Sequence, residues 1–113
     1  MEKQLWGMSP KEQTEKICID AIEEDCWTIQ FINNPSKAVQ LAAVKQDGYV
    51  IRYIHNPSEV AQLAAVKQNG SVIEYIHNPS EEVCIEALSQ DKSFYKYIKW
   101  DYRTEKIKTF MEI

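Results

Sequence analysis

The sequence predicts an all-α protein, organised as a short α-solenoid of four stacked helical hairpins with a C-terminal capping helix. The first observation is that the tripeptide Asn-Pro-Ser recurs at a spacing of 22 residues. The second is that each copy carries apolar residues at the spacing of two short amphipathic helices. The third is that one such hairpin cannot bury its own apolar face, whereas stacked copies bury a continuous core.

The repeat divides a single predicted domain, residues 1–113, into four units. We number them repeats 1 to 4, and they span residues 12–33, 34–55, 56–77 and 78–99. Repeats 2 and 3 are identical at 16 of 22 positions. Repeat 1 has lost Asn-Pro-Ser but keeps its apolar residues at the shared positions. Residues 100–113 carry Ile107 and Phe110 in a partial copy of the pattern, which predicts the capping helix.

The first helix of each hairpin has start signals in repeats 2 to 4 and stop signals in repeats 2 and 3. Asn at position 1 is predicted to be the N-cap, with Pro at the first helical position. Glu59 and Glu81 then stand where a capping box has its acid. Gly48 and Gly70 are predicted to be left-handed C-caps. A small residue at position 10 allows another helix to approach closely, and this position is Ala in all four repeats: Ala21, Ala43, Ala65 and Ala87.

The second helix is predicted from the segments "YVIRYIH", "SVIEYIH" and "SFYKYIK". Their β-branched and aromatic residues, preceded by Asn-Gly in repeat 3, also suit a strand and hairpin. Helix is favoured because the apolar residues come in adjacent pairs rather than in strict alternation. An aromatic residue always occupies position 20, where packing between repeats is predicted over a base-stacking platform: Phe31, Tyr53, Tyr75 and Tyr97.

The formal charge of the chain is −4, and it is distributed unevenly. Residues 12–33 carry six acidic side chains against one lysine, a sum of −5, whereas residues 34–77 sum to +1. This balance argues against general nucleic-acid binding, which needs a basic surface. The sequence has no run of 18 apolar residues, so no membrane span is expected. Its first residues lack the apolar stretch of a signal peptide, so a cytoplasmic location is expected.

The cysteines and histidines do not form a metal-binding pattern. Cys18 and Cys84 share one repeat position, three repeats apart, so free thiols in a reducing compartment are expected. His55 and His77 also share a position, and helices in adjacent repeats lie roughly 10 Å apart. Two such histidines cannot share one metal ion at bond lengths of ~2 Å.

Two further observations argue against catalysis and cofactors. Asp20, Glu24 and Cys26 lie near Cys18 in sequence, but no Cys-x-x-Cys or His-x-x-x-His spacing accompanies them, so Cys18 is predicted to be a core residue. The chain also lacks a glycine-rich phosphate loop, a Ser–His–Asp pattern and His-Glu-x-x-His. The sequence therefore predicts no enzyme activity, no cofactor and no metal.

A candidate partner-binding site lies in repeat 1, which gathers carboxylates and a tryptophan near the turn between its helices. Aromatic residues rimmed by charge are typical of protein-binding hot spots. The alternatives are that a terminal repeat is polar for solubility and that the tryptophan caps the core. The predicted partner-binding residues are Asp20, Glu23, Glu24, Asp25, Trp27 and Tyr49.

The segment "AAVKQNG", followed by a short helix containing an aromatic residue, resembles the tandem helical-hairpin repeats of a bacterial, phage and giant-virus family of unknown function. The resemblance covers residues 12–99, and it implies no activity and no catalytic residues. Small acidic proteins of phage-associated type are often inhibitors of host defence systems. The resemblance therefore suggests a non-enzymatic protein-binding protein, in its most specific form a phage-encoded anti-CRISPR inhibitor in the host cytoplasm.

The expected partner is a basic, nucleic-acid-binding effector, because an acidic patch can occupy the channel that normally holds nucleic acid. The alternative hypothesis is a nucleotide- or oligonucleotide-binding helical scaffold. In that case the tyrosines at position 20 stack on bases, while Lys45, Arg52 and Lys67 contact phosphates.

Overall fold

The structure is a computed structural model that describes residues 14–113. The first two residues of repeat 1, and the segment before them, lie outside the described residues. Within residues 14–113 every regular element is a helix, which confirms the all-α prediction. The α-helices of this region are α1 (Glu15–Glu24), α2 (Lys37–Gln46), α3 (Glu59–Gln68), α4 (Glu81–Gln90) and α5 (Glu105–Met111).

The second element of each repeat is a 3₁₀ helix of six residues. An Asp or Asn at position 14 precedes each one in extended conformation, and its side chain accepts a hydrogen bond from the backbone N–H two residues later. In repeat 4 this bond from the Ser93 N–H holds the pKa of Asp91 below its usual value. The 3₁₀ helices are Cys26–Phe31, Gly48–Tyr53, Gly70–Tyr75, Lys92–Tyr97 and, after the repeats, Trp100–Tyr102.

The α-helices begin two residues later than the sequence predicts. The N-caps are the serines of Asn-Pro-Ser, and in repeat 3 Ser58 Oγ accepts from the Ala61 N–H at 3.2 Å. The predicted asparagine caps and the capping box are therefore wrong, since Glu59 is the first helical residue. Serine is as good an N-cap as asparagine, so propensity could not decide between them. The other N-caps of α-helices are Thr14, Ser36, Ser80 and Thr104.

The two repeat glycines are not left-handed C-caps, because neither has a positive φ. They are the first residues of 3₁₀ helices, and they are needed because the next repeat lies against them. A Cβ atom on Gly48 would lie 3.1 Å from the backbone oxygen of Ala65. A Cβ atom on Gly70 would lie 2.9 Å from the Phe94 ring. The glycine positions were correctly singled out, but for the wrong physical reason.

The helices pack in chain order. Each α-helix contacts the next one, from α1 to α5, and the 3₁₀ helices of neighbouring repeats contact each other. The described residues extend over 53 × 21 × 17 Å. The alanines at position 10 are all buried in one core that runs through the repeats, together with Val, Ile and Leu side chains and three cysteines. The prediction that position 10 permits close approach is thus consistent with its burial.

Glutamines at position 13 join each repeat to the one before it. The Gln68 amide donates to the backbone oxygen of Val44, and its Oε1 accepts from the Gly48 N–H at 3.0 Å. Gln90 makes the same two bonds to the preceding repeat, with Val66 and Gly70. Val44 lies in the last turn of α2, whose carbonyls have no partner within their own helix. One carboxamide therefore satisfies two backbone groups at the junctions of repeats 2 and 3 and of repeats 3 and 4, and at the junction of repeats 1 and 2 Gln46 donates to the Ile22 oxygen at 2.8 Å.

The C-terminal segment is held by Arg103. Its guanidinium donates to the backbone oxygens of Ile98 (2.9 Å) and Tyr95 (3.2 Å) and lies 4.2 Å from the centroid of the Tyr95 ring. Helix α5 then places Ile107 in the core against α4. Among residues 14–113, no helix combines the length and the apolar character that crossing a membrane requires.

The position of the N-cap can be tested with one pair of variants. Ser58→Ala removes the side-chain acceptor at the start of α3 and is expected to lower the free energy of unfolding by about 1 kcal/mol. Asn56→Ala should leave it nearly unchanged, because that residue precedes the helix. Chemical denaturation measures both. A larger loss for Asn56→Ala than for Ser58→Ala would contradict the serine cap.

The glutamine bridge can be tested at one junction. Gln68→Ala leaves the Gly48 N–H and the Val44 carbonyl without their partner, so the free energy of unfolding should fall by about 2 kcal/mol. Glu24 occupies the same position in repeat 1 and makes no such bond within the described residues. Glu24→Ala is the matched control and should change stability little. Equal losses for the two variants would show that the bridge contributes nothing.

Candidate protein-binding face

The 3₁₀ helices place aromatic side chains at the surface. Phe31 is 44% exposed and Tyr53 is 42% exposed, and both occupy position 20. Tyr49, at position 16, is exposed as well. We call this surface, made by positions 16, 19 and 20 of the repeats, the 3₁₀ face. Exposed aromatic residues in a row are uncommon on a surface that contacts only water, so this face is a candidate for binding.

The candidate residues Trp27 and Tyr49 each pack on the ring at position 20 of the following repeat. Trp27 meets Tyr53 edge-on, with ring centroids 5.5 Å apart, and Tyr49 meets Tyr75 at 6.3 Å. Such edge contacts stabilise aromatic pairs. Trp27 is therefore half-buried against its neighbour, and Tyr49 is the more accessible of the two. Position 20 has a packing role, as predicted.

Cations lie over the tyrosine rings of the 3₁₀ face. The Arg52 guanidinium lies 5.5 Å from the centroid of Tyr53 and 5.0 Å from that of Tyr75, and Lys96 lies 5.2 Å from that of Tyr97. A hydrogen bond with Glu74 raises the pKa of Tyr75. The cations take up ring faces on which nucleobases would have to stack, so the geometry favours the base-stacking hypothesis less than the packing one.

The predicted acidic residues have different structural roles. Glu23 and Glu24 are exposed in the last turn of α1. The Asp20 carboxylate lies 3.6 Å from Lys16 Nζ, and the two residues are four positions apart on α1. Asp25 accepts from the Trp27 N–H at 3.0 Å, and it occupies the capping position shared by all four repeats. Asp25 therefore has a structural explanation, whereas Glu23 and Glu24 have none within residues 14–113.

The charge at the end of α1 is unfavourable for the helix. The C-terminus of a helix carries partial negative charge, so cations stabilise it and carboxylates destabilise it by roughly 0.3–1 kcal/mol. Helices α2 and α3 have Lys45 and Lys67 in this turn, and α1 has no basic residue there. Glu23 replaces this lysine at position 12 of repeat 1. Glu23 and Glu24 are therefore expected to destabilise the helix that carries them.

Trp100, which is 78% exposed, is not among the binding residues predicted from the sequence. It lies in the short 3₁₀ helix that follows repeat 4, outside the repeat register, so a comparison of repeat positions had no bearing on it. A tryptophan in a polar segment, "KWDYR", is the signal that could have identified it. Arg52 was predicted only as a phosphate contact in the oligonucleotide hypothesis. Its position over the rings of Tyr53 and Tyr75 depends on contacts across the repeat junction.

The thiols are unsuited to nucleophilic chemistry. Cys18, Cys26 and Cys84 are all buried and unpaired, and burial raises the pKa of each. The pKa of Cys84 is raised to about 11, first by burial and then by Glu81. These thiols stay protonated near neutral pH, and only thiolates act as nucleophiles or metal ligands. Within residues 14–113, no three His, Cys, Asp or Glu side chains are grouped closely enough to hold a metal ion.

Comparison with protein-family models, with curated proteins and with solved structures finds no match to this chain.

The state of the cysteines can be measured directly. At pH 8 the native thiols should react with a disulfide reagent far more slowly than the unfolded chain, with Cys84 the slowest, because their raised pKa values keep them protonated. The melting temperature should be the same with and without reductant, and elemental analysis should find no zinc. Fast labelling of Cys84 in the native state, or one zinc per chain, would contradict this account.

Proposed function

We propose that this chain is a non-enzymatic protein-binding repeat protein, in which the described helices form a short α-solenoid of four hairpins capped by α5. The packing of each helix on the next supports the solenoid interpretation. Stacked repeats of this kind create extended surfaces that suit the binding of other proteins. The proposed binding site is the surface of repeat 1 that combines the last turn of α1, with Glu23 and Glu24, and Trp27 of the 3₁₀ helix that follows it.

The observation that carries this proposal is the acidic pair at the C-terminus of α1. Solubility explains why a terminal repeat is charged. It does not explain why the charges are carboxylates at a helix C-terminus, whose partial negative charge repels them. Lysine at the same position would be equally soluble and would stabilise the helix, as in α2 and α3. A residue that costs stability and serves no fold contact is best explained by something that it binds.

Aromatic residues beside the acidic pair complete the proposed site. Trp27 is only half-buried, and Phe31 is exposed in the same 3₁₀ helix. Tyr49, in the next repeat, adds a third ring. Tryptophan and tyrosine contribute most to protein interfaces when charged and polar groups surround them. In this proposal Asp20 and Asp25 add negative charge, while Asp25 also fixes the start of the 3₁₀ helix that carries Trp27.

The partner proposed for this surface is a basic protein, and its most specific form is a nucleic-acid-binding nuclease of a bacterial defence system. The acidic end would occupy the basic channel and compete with nucleic acid, and the chain would then act in the host cytoplasm. The choice of an anti-CRISPR inhibitor rests on the resemblance of the repeats to a phage-associated family. The oligonucleotide-binding alternative has less support, because Arg52 and Lys96 lie on the rings that it requires.

The proposal is tested by inhibition of target-DNA cleavage by a panel of purified CRISPR effector nucleases. For an effector that the parent protein inhibits, Glu23→Lys with Glu24→Lys should weaken binding and make it less sensitive to salt. Trp27→Ser, which introduces the residue found at this position in repeats 3 and 4, should weaken binding about thirtyfold, equivalent to ~2 kcal/mol. Calorimetry measures the affinities, and circular dichroism checks the fold.

Two controls separate the site from the fold and from general charge. Asp25→Asn should keep the fold, because Asn69 serves as the same cap in repeat 3, and it should weaken binding only through the loss of one negative charge from the site. Glu82→Lys with Glu112→Lys changes the net charge equally at exposed sites far along the chain, and it should leave binding intact. If this control loses inhibition as strongly as the variant with lysines at positions 23 and 24, the cause is net charge and not the proposed site. Failure of the parent to inhibit any effector, with retention on immobilised DNA instead, would favour the oligonucleotide alternative.

A further inference from the structure

A groove lies between the two junction loops that carry His-Asn-Pro-Ser, and the proposed function makes no use of it. Its volume is about 530 Å³, within the range of ligand-binding sites. One wall is formed by residues 52–57 and the other by residues 75–78, with Gln62 of α3 between them. Histidine is the last residue of repeats 2 and 3 only. The last residues of repeats 1 and 4 are Asn33 and Lys99.

Gln62 lines this groove, and its buried acceptor has no partner among the described residues. The side chain is only 8% exposed, its amide donates to the Pro57 oxygen at 3.0 Å, and its Oε1 is buried with no hydrogen bond. Gln40 occupies the same position in repeat 2 and makes both bonds, donating to Pro35 and accepting from the Ser58 N–H at 2.7 Å. A buried acceptor without a partner costs about 1–3 kcal/mol.

The groove is electrostatically suited to an anion. Among residues 14–113, Arg52 is the one lining residue with a fixed charge, and Glu74 does not line the groove but is hydrogen-bonded to Tyr75, which does. Asn56 and Asn78 line opposite walls, and each primary amide is both a donor and an acceptor. Peptide backbone also offers one donor and one acceptor per residue.

We propose that this groove binds an extended, acidic peptide segment of a partner protein. Binding moves the groove side chains enough to expose Gln62 Oε1, which is buried in the free chain, and this oxygen then accepts from a backbone N–H of the peptide. The amides of Asn56 and Asn78 bond to the peptide backbone, and a carboxylate of the peptide binds Arg52. The site is distinct from the acidic end of repeat 1, and its charge preference is the opposite.

A nucleotide fits the same groove less well. Tyr53 and Tyr75 are the rings available for stacking, but Arg52 lies over both of them. Edge contacts from Trp27 and Tyr49 occupy further parts of these rings. Inorganic phosphate would satisfy Arg52, but it lacks the row of N–H donors that a peptide backbone presents to the groove.

The test is a titration of the ¹⁵N-labelled full chain, followed by nuclear magnetic resonance. The probe is a library of capped pentapeptides with Glu fixed at the centre and the other positions randomised. A matched library has Gln at the centre. We expect the Glu library to shift the side-chain amide signals of Gln62, Asn56 and Asn78 at about tenfold lower concentration than the Gln library, since it adds the ion pair with Arg52.

Two pairs of variants assign the contacts. Arg52→Gln should remove the preference for the Glu library, whereas Lys45→Gln, an exposed cation outside the groove, should not. Gln62→Leu should weaken binding of both libraries about tenfold without lowering the melting temperature as much as Gln40→Leu, because only Gln40 loses a bonded acceptor. The second comparison keeps the role of Gln62 testable through stability as well as binding.

Several results would overturn the proposal. No shift of the groove amides with either library at millimolar concentration would show that peptides do not bind there. Equal shifts with the Glu and Gln libraries would show that the groove does not select an anion. Shifts produced at lower concentration by a short oligothymidine or by inorganic phosphate would assign the groove to those ligands. None of these outcomes bears on nuclease inhibition through repeat 1.

Discussion

The carboxamide of a glutamine in one repeat bonds to two backbone groups of the repeat before it, and much of the structure depends on that contact. An α-helix that ends against a 3₁₀ helix leaves carbonyls and an N–H near the core, where water cannot satisfy them. Gln68 and Gln90 supply both missing partners. The bonds require the next repeat to lie close, which explains the glycines and small alanines at the same junctions. Hydrogen bonding and close packing thus impose one common spacing on the repeats.

The same regularity makes departures from it informative. Repeat 1 has Glu23 where repeats 2 and 3 have lysine, although a helix C-terminus favours a cation. Gln62 leaves an acceptor unpartnered where Gln40 bonds across the junction. In each case the neighbouring repeat shows the arrangement that the fold prefers. In a repeat protein, the equivalent positions of neighbouring repeats can be compared with one another. A residue that lowers stability relative to its equivalents is therefore a candidate for a functional role.

The two proposed surfaces differ in charge and would select different partners. The proposed site in repeat 1 combines the negative last turn of α1 with exposed aromatic residues, which suits a basic protein surface. The groove around Gln62 has Arg52 as its fixed charge and suits an acidic segment. Because Arg52 also lies over Tyr53, which packs on Trp27, the two surfaces share one continuous set of ring contacts. A partner with both a basic body and an acidic extension would match the pair.

The sequence by itself determined the helical class, the repeat register and the buried small residues, because these follow from apolar periodicity and from identity between copies. It also located the acidic pair and Trp27, since they depart from the repeat pattern. Only the tertiary structure decided that serine rather than asparagine caps each α-helix, that glycine serves close packing, and that Asp25 is a structural cap. It alone revealed the unpartnered Gln62 and the place of Arg52. The reason is physical. The roles of the glycines, Gln62 and Arg52 depend on atoms about one repeat away, and local propensity contains no information about contacts between repeats. The caps are local, but propensity does not distinguish serine from asparagine as an N-cap.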